Sequence, residues 1–130
     1  MFTQGEATFF GDLTQARYEF AGSCSQTRGV FAGGQLPDSP YPSVSTMDFV
    51  TMASAGNATD FGNLVSAQKS LAGTSDNTRG VFAGGYISPA TVNVMNFITI
   101  ATAGNALDFG DLSTARRDLA GFSDSHGGLE

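Results

Sequence analysis

Two tripeptides carry the letters of a catalytic motif, Asp60-Phe61-Gly62 and Asp108-Phe109-Gly110. In a protein kinase the aspartate of that triplet holds magnesium against the ATP phosphates, supported by a glycine-rich loop and a lysine on the third strand. Neither support is present, and the triplet occurs twice, 48 residues apart, where phosphoryl transfer needs it once. It reads as a turn at the end of a strand. Gly33-Gly34 and Gly84-Gly85 read in the same way, as packing glycines and not as a phosphate cradle.

The other groups capable of chemistry are sparse. His126 is the only histidine and lies in a glycine-rich C-terminal stretch. A radical-copper site would need several histidine and tyrosine ligands and a Cys–Tyr cross-link. One histidine and three tyrosines (Tyr18, Tyr41, Tyr86) do not suggest one. Cys24 has no evident base to activate it and reads as a small packing residue. A single cysteine also excludes an intramolecular disulfide framework. Asp12, Asp76, Asp111 and Asp124 recur at the ends of segments. A carboxylate there caps turns by bonding the local backbone, with cation binding as the alternative. Arg28 and Arg79 precede identical strands and suggest ion pairs or a ring of charge. Asn57-Ala58-Thr59 spells a glycosylation sequon within a repeated turn. No catalytic group, metal site or cofactor is expected.

These residues are placed by a repeat. Thr27-Arg28-Gly29-Val30-Phe31-Ala32-Gly33-Gly34 recurs unchanged at Thr78–Gly85, 51 residues later. Asp60-Phe61-Gly62-Asn63-Leu64 recurs at Asp108–Leu112, 48 residues later, and Phe9-Phe10-Gly11-Asp12-Leu13 is an earlier copy. The drop from 51 to 48 locates three extra residues between Gly34 and Met47. That stretch holds Pro37, Pro40 and Pro42, which cannot run inside a sheet, so Gln35–Ser45 is a surface loop.

Each period reads as four short strands punctuated by Gly, Asn, Ser and Pro. They are expected over Tyr18–Ser23, Arg28–Ala32, Thr46–Met52 and Ala58–Leu64, and again over Lys69–Thr74, Arg79–Ala83, Val94–Ile100 and Ala106–Leu112. Four-stranded units repeating every ~40–50 residues are the pattern of β-propeller blades. The fold class is therefore all-β. The expected organisation is an orphan strand at 7–13, blades at 18–64 and 69–112, an orphan strand at 117–122 and a tail at 123–130. Small residues such as Ala21-Gly22 belong near the crowded axis, and Phe49, Phe61, Phe97 and Phe109 belong in the gaps between blades.

Composition agrees with a packed chain. Hydrophobic residues make up 41% of the 130 and charged residues 14%, enough apolar surface to bury. The formal net charge of −6 argues against a protein that tracks nucleic-acid phosphates. No apolar run reaches the ~18–20 residues of a membrane-spanning helix, and no secretory signal is visible.

A hydrophobic strand ending in Gly-Gly, then a variable loop, then a strand with an aromatic residue (Met47-Asp48-Phe49, Met95-Asn96-Phe97) resembles the kelch repeat. Arg17 and Arg116 sit where kelch blades often carry an arginine before the innermost strand, with Gln68 in the middle copy. The usual kelch tryptophan is absent, and Phe61 or Phe109 has the volume to replace it. The wording Thr-Arg-Gly-Val-Phe-Ala-Gly-Gly with Ala-Gly-Asn-Ala-x-Asp-Phe-Gly resembles kelch-like repeat proteins of marine bacteriophages. That resemblance implies a virion-associated or adhesive role.

Propellers need at least four blades, and two are present. The terminal Leu129-Glu130 reads as a vector-derived junction, which predicts a piece of a longer array. Unpaired edges and open faces recruit matching ones, so homo-oligomeric closure of a ring is expected, of unspecified order. Function should reside where the copies differ. The proline-stiffened loop carries Asp38 and Tyr41, and the corresponding segment of the second copy carries Tyr86. A tyrosine beside a carboxylate offers a stacking face and an acceptor to a surface glycan. Three functions stay open: a non-enzymatic binding or virion-structural module, a self-assembling array without a ligand, and a glycan-active propeller enzyme.

Overall fold

The computed structural model describes residues 5–123. Two four-stranded antiparallel sheets make up most of it. The first holds β1 (Ala21–Cys24), β2 (Arg28–Ala32), β3 (Thr46–Thr51) and β4 (Thr59–Asn63), in that spatial order. The second holds β5 (Ala72–Ser75), β6 (Arg79–Ala83), β9 (Val94–Thr99) and β10 (Leu107–Asp111), also in chain order. The hairpin of β7 (Tyr86–Ile87) and β8 (Ala90–Thr91) is inserted between β6 and β9. The all-β expectation and the two four-stranded units are both observed.

The pairing follows the repeat residue for residue. Val30 lies opposite Phe49 and Ala32 opposite Met47, just as Val81 lies opposite Phe97 and Ala83 opposite Met95. Each outer strand joins the third through a bulge in its Asp-Phe-Gly, where the register skips Phe61 between Asp60 and Gly62, or Phe109 between Asp108 and Gly110. The bulge leaves Phe61 or Phe109 edge-on to Phe49 or Phe97, with centroids 5.9 Å apart in both sheets.

Successive residues of a strand point to opposite faces, so each sheet has two apolar faces. Val30, Ala32, Met47 and Phe61 from one face of the first sheet meet Phe82, Ile98 and Ile100 from the second, and all seven are buried. This seam between the sheets is the hydrophobic core. At its inner end the backbones nearly touch. A Cβ on Gly73 of β5 would lie 2.1 Å from the carbonyl oxygen of Gly22 in β1, so only glycine fits.

The sequence-based boundaries move most at four places. The first strand of each sheet begins at Ala21 or Ala72, three residues later than expected, because Glu19 and Ser70 take positive φ (60° and 57°) and break the extended chain. Residues 7–13 and 117–122, expected as orphan strands, form no strand. A strand needs a ladder partner, and among the described residues theirs would belong to a further sheet. Both segments still run along the neighbouring sheet at the same places as their repeat equivalents: in the C-terminal one Asp118 N–H donates to Ser70 O at 2.9 Å, as Ser70 N–H donates to Glu19 O at 2.9 Å. Gly56 N–H donates to Phe10 O at 2.8 Å and Ala58 N–H to Asp12 O at 2.8 Å. In the second unit Gly104 N–H donates to Phe61 O at 2.7 Å and Ala106 N–H to Asn63 O at 2.8 Å.

Candidate functional site

Most of the residues singled out for chemistry have local structural work. Gly62 of the first Asp-Phe-Gly sits at φ +143°, and a Cβ there would lie 2.3 Å from the carbonyl oxygen of Gly104. The triplet is thus a bulge that lets neighbouring units approach. Asn57 of the sequon accepts the Asp12 N–H at 3.0 Å, and Asn105 accepts the Asn63 N–H at 3.1 Å. Arg28 and Arg79, expected in ion pairs or a charge ring, stack on Phe49 and Phe97 at 4.2 and 4.7 Å. Arg28 also donates to the Ile100 carbonyl at 3.0 Å, across the seam. In β1, Cys24 donates its N–H to Ser75 Oγ and accepts the Ser75 hydroxyl at its carbonyl. His126 and Asp124 lie outside the described residues.

Asp76 caps a turn. Its Oδ1 accepts from Thr78 N–H at 2.8 Å and Arg79 N–H at 2.7 Å, as Ser25 Oγ accepts from Thr27 and Arg28 in the first unit. The Arg79 and Thr78 amides hold the Asp76 carboxyl below the ordinary carboxylate range. A carboxyl with a lowered folded pKa contributes stability above its unfolded pKa and loses it as pH falls through the folded one. In an NMR titration the Asp76 carboxyl should therefore titrate below an ordinary aspartate, with the Thr78 and Arg79 amides following the same midpoint. An ordinary midpoint would show that the cap is not formed.

The candidate glycan residues are placed apart in kind. Asp38 and Tyr41 share an exposed turn in which Tyr41 N–H donates to Asp38 O at 2.7 Å and Tyr41 takes φ +59°. Tyr86 is half-buried in β7 and corresponds to Gln35, not to Tyr41. It bridges to Lys69 through both backbone groups, as Gln35 bridges to Tyr18. The Lys69 ammonium lies 5.8 Å from the centroid of the Tyr86 ring and the Arg117 guanidinium 5.3 Å from it. Lys69 also pairs with Glu19 at 3.4 Å and bonds Gln35 Oε1.

A buried polar pair in each sheet escaped the sequence reading. In the first, Arg17 Nη2 meets Asp48 Oδ2 at 2.9 Å, with both side chains fully buried. The same guanidinium donates to the carbonyls of Thr46 and Phe31, and Thr14 N–H and Oγ1 complete the Asp48 shell. Burial pulls the Arg17 pKa down and Asp48 opposes it. In the second sheet the positions hold Gln68 and Asn96. Asn96 Nδ2 donates to Gln68 Oε1 at 3.1 Å, Gln68 Nε2 to Gly84 O, and Val65 N–H to Asn96 Oδ1. Arginine therefore goes with aspartate and glutamine with asparagine. The third copy of the arginine position is Arg116, and it is exposed.

Two apolar faces remain uncovered among the described residues. The first sheet presents Phe31, Val50 and Met52, and Met52 is 43% exposed where its equivalent Ile100 is 0%. Phe31, Val50 and Met52 line a groove of about 350 Å³ beside Phe10 and Leu13. The second sheet presents Val81, Met95, Phe97 and Phe109. Phe109 is 46% exposed where Phe61 is 2%. Every residue of that second face is identical to its equivalent at the seam of the first sheet, the buried Val30, Met47 and Phe61 and the partly buried Phe49. The first sheet's open face holds Phe31, Val50 and Met52 where the seam holds Phe82, Ile98 and Ile100, so the two open faces occupy the positions of the two halves of the seam inside the chain. No protein-family model matches the chain, and no curated protein matches it.

Proposed function

We propose that this chain is a non-enzymatic, kelch-like β-propeller module whose two sheets are blades that stack against further blades to close a ring. The observation that carries this reading is the pair of open faces, each repeating one side of the internal seam. Covering the exposed part of Met52 and Phe109, 43% and 46% of each, contributes about 1 kcal/mol per side chain, roughly half the value for full burial. Exposed apolar patches of this kind mark association surfaces. Head-to-tail contacts between copies form a closed ring when the rotation permits. The non-enzymatic reading is supported by the structural work of the aspartates, arginines and glycines described above. The phage-like wording of the repeat supports a virion-associated structural or adhesive role, with Asp38 and Tyr41 on the exposed turn as the surface most open to a glycan.

Light scattering tests the stacking directly. The expected result is a discrete oligomer of the 13.4 kDa chain with annular particles in negative-stain images. A monomer at all concentrations would overturn the reading.

A further inference from the structure

We infer that the closing contact is a segment exchange, in which residues 107–116 of one copy replace residues 8–17 of a second copy and Arg116 takes the place of Arg17 on that copy's Asp48. This rests on the stacked-blade reading above.

Three observations carry it. The first is backbone arithmetic. Gly56 and Ala58 N–H groups already donate to Phe10 O and Asp12 O. A second copy presenting β10 to this face would offer its Phe109 and Asp111 carbonyls to the same two donors, because β4 uses its Phe61 and Asn63 carbonyls in that way on Gly104 and Ala106. Each N–H makes one such bond, so one segment must leave. The second is poise. Arg116 O already accepts Gly85 N–H at 2.8 Å and its N–H reaches Val92 O at 3.2 Å, matching Gln68 against Gly34 and Val44. The backbone is thus in the crossing position while the side chain is exposed. The third is charge. Arg116 matches a receiver holding aspartate, and the open face of the first sheet holds Asp48. The receiver in the second sheet, Asn96, is matched to glutamine. A buried carboxylate needs a cationic partner whichever copy supplies it.

The test is sedimentation over a concentration series with full-length variants. Arg116→Gln should raise the concentration needed for half-assembly by about thirtyfold or more, the effect of truncating one partner of a buried charge pair across an interface. Arg17→Gln should lower it, because it weakens the segment that must leave and frees Asp48 for its replacement. Arg116→Gln combined with Asp48→Asn should restore assembly, since it rebuilds the Gln68–Asn96 pair between copies. A merely structural role for an exposed arginine would give neither opposite signs nor rescue. Oligomers indifferent to Arg116→Gln would overturn the exchange and leave blade stacking intact. A wild-type monomer would overturn both.

Discussion

Asp48→Ala is expected to destabilise the fold by roughly 3–5 kcal/mol, a large share of the ~5–15 kcal/mol that holds a typical domain. Asp48 lies on β3 with no exposure and accepts from Arg17, Thr14 N–H and Thr14 Oγ1. Removing its carboxylate strands a buried guanidinium, which keeps only the Thr46 and Phe31 carbonyls. The loss is mostly the uncompensated charge and only partly the missing bond. It follows that Arg17→Gln with Asp48→Asn should recover most of the deficit, because the second sheet holds that neutral pair in the same frame. Urea unfolding of the three chains checks this, and a double variant no better than Asp48→Ala would refute the charge account.

Gly62→Ala should cost roughly 2–6 kcal/mol, combining backbone strain at positive φ with overpacking. The added methyl would sit 2.3 Å from Gly104 O and 2.5 Å from its carbon, and neither backbone atom can yield cheaply. Gly110→Ala is the internal control. Its φ is +137°, but the nearest contact is Met95 Cε at 3.8 Å, so strain alone remains, about 1–3 kcal/mol. Denaturation under dissociating conditions should separate the two variants, and equal losses would refute the seam as the reason for this glycine. If a further sheet covers β10, Gly110→Ala should also impair assembly, by the clash that Gly62→Ala makes internally.

The strands were legible because Val30-Phe31-Ala32 and its copy combine apolar residues on both faces with glycine punctuation, a pattern that local physics ties to a sheet buried on two sides. The shifted starts at Ala21 and Ala72 were not legible. No propensity rule places Glu19 or Ser70 at positive φ, and the geometry is imposed by the crossing chain, where Ser70 N–H meets Glu19 O. The hairpin of β7 and β8 was hidden by its two-residue strands flanking Pro89. Asp48 looked like an ordinary polar residue of an alternating strand. Its partner lies 31 residues earlier, and a single sequence does not say which residues meet. The signal was nonetheless in the text, as a paired change from Arg17 and Asp48 to Gln68 and Asn96.

The seam has a thermodynamic consequence. β4 continues directly into the segment whose Val65 and Gln68 bond Asn96 and Gly84 of the second sheet, so the two sheets share one core. The molecule then behaves as a nearest-neighbour chain of coupled units, with most of its cooperativity in the coupling. Among the described residues there is one such coupling, and each sheet has one face less covered than the other. Hydrogen exchange should then be slowest around Val30, Phe82 and Ile98 and quicken outward to both faces. Adding units raises stability by whole couplings, and closing the array removes its frayed ends altogether.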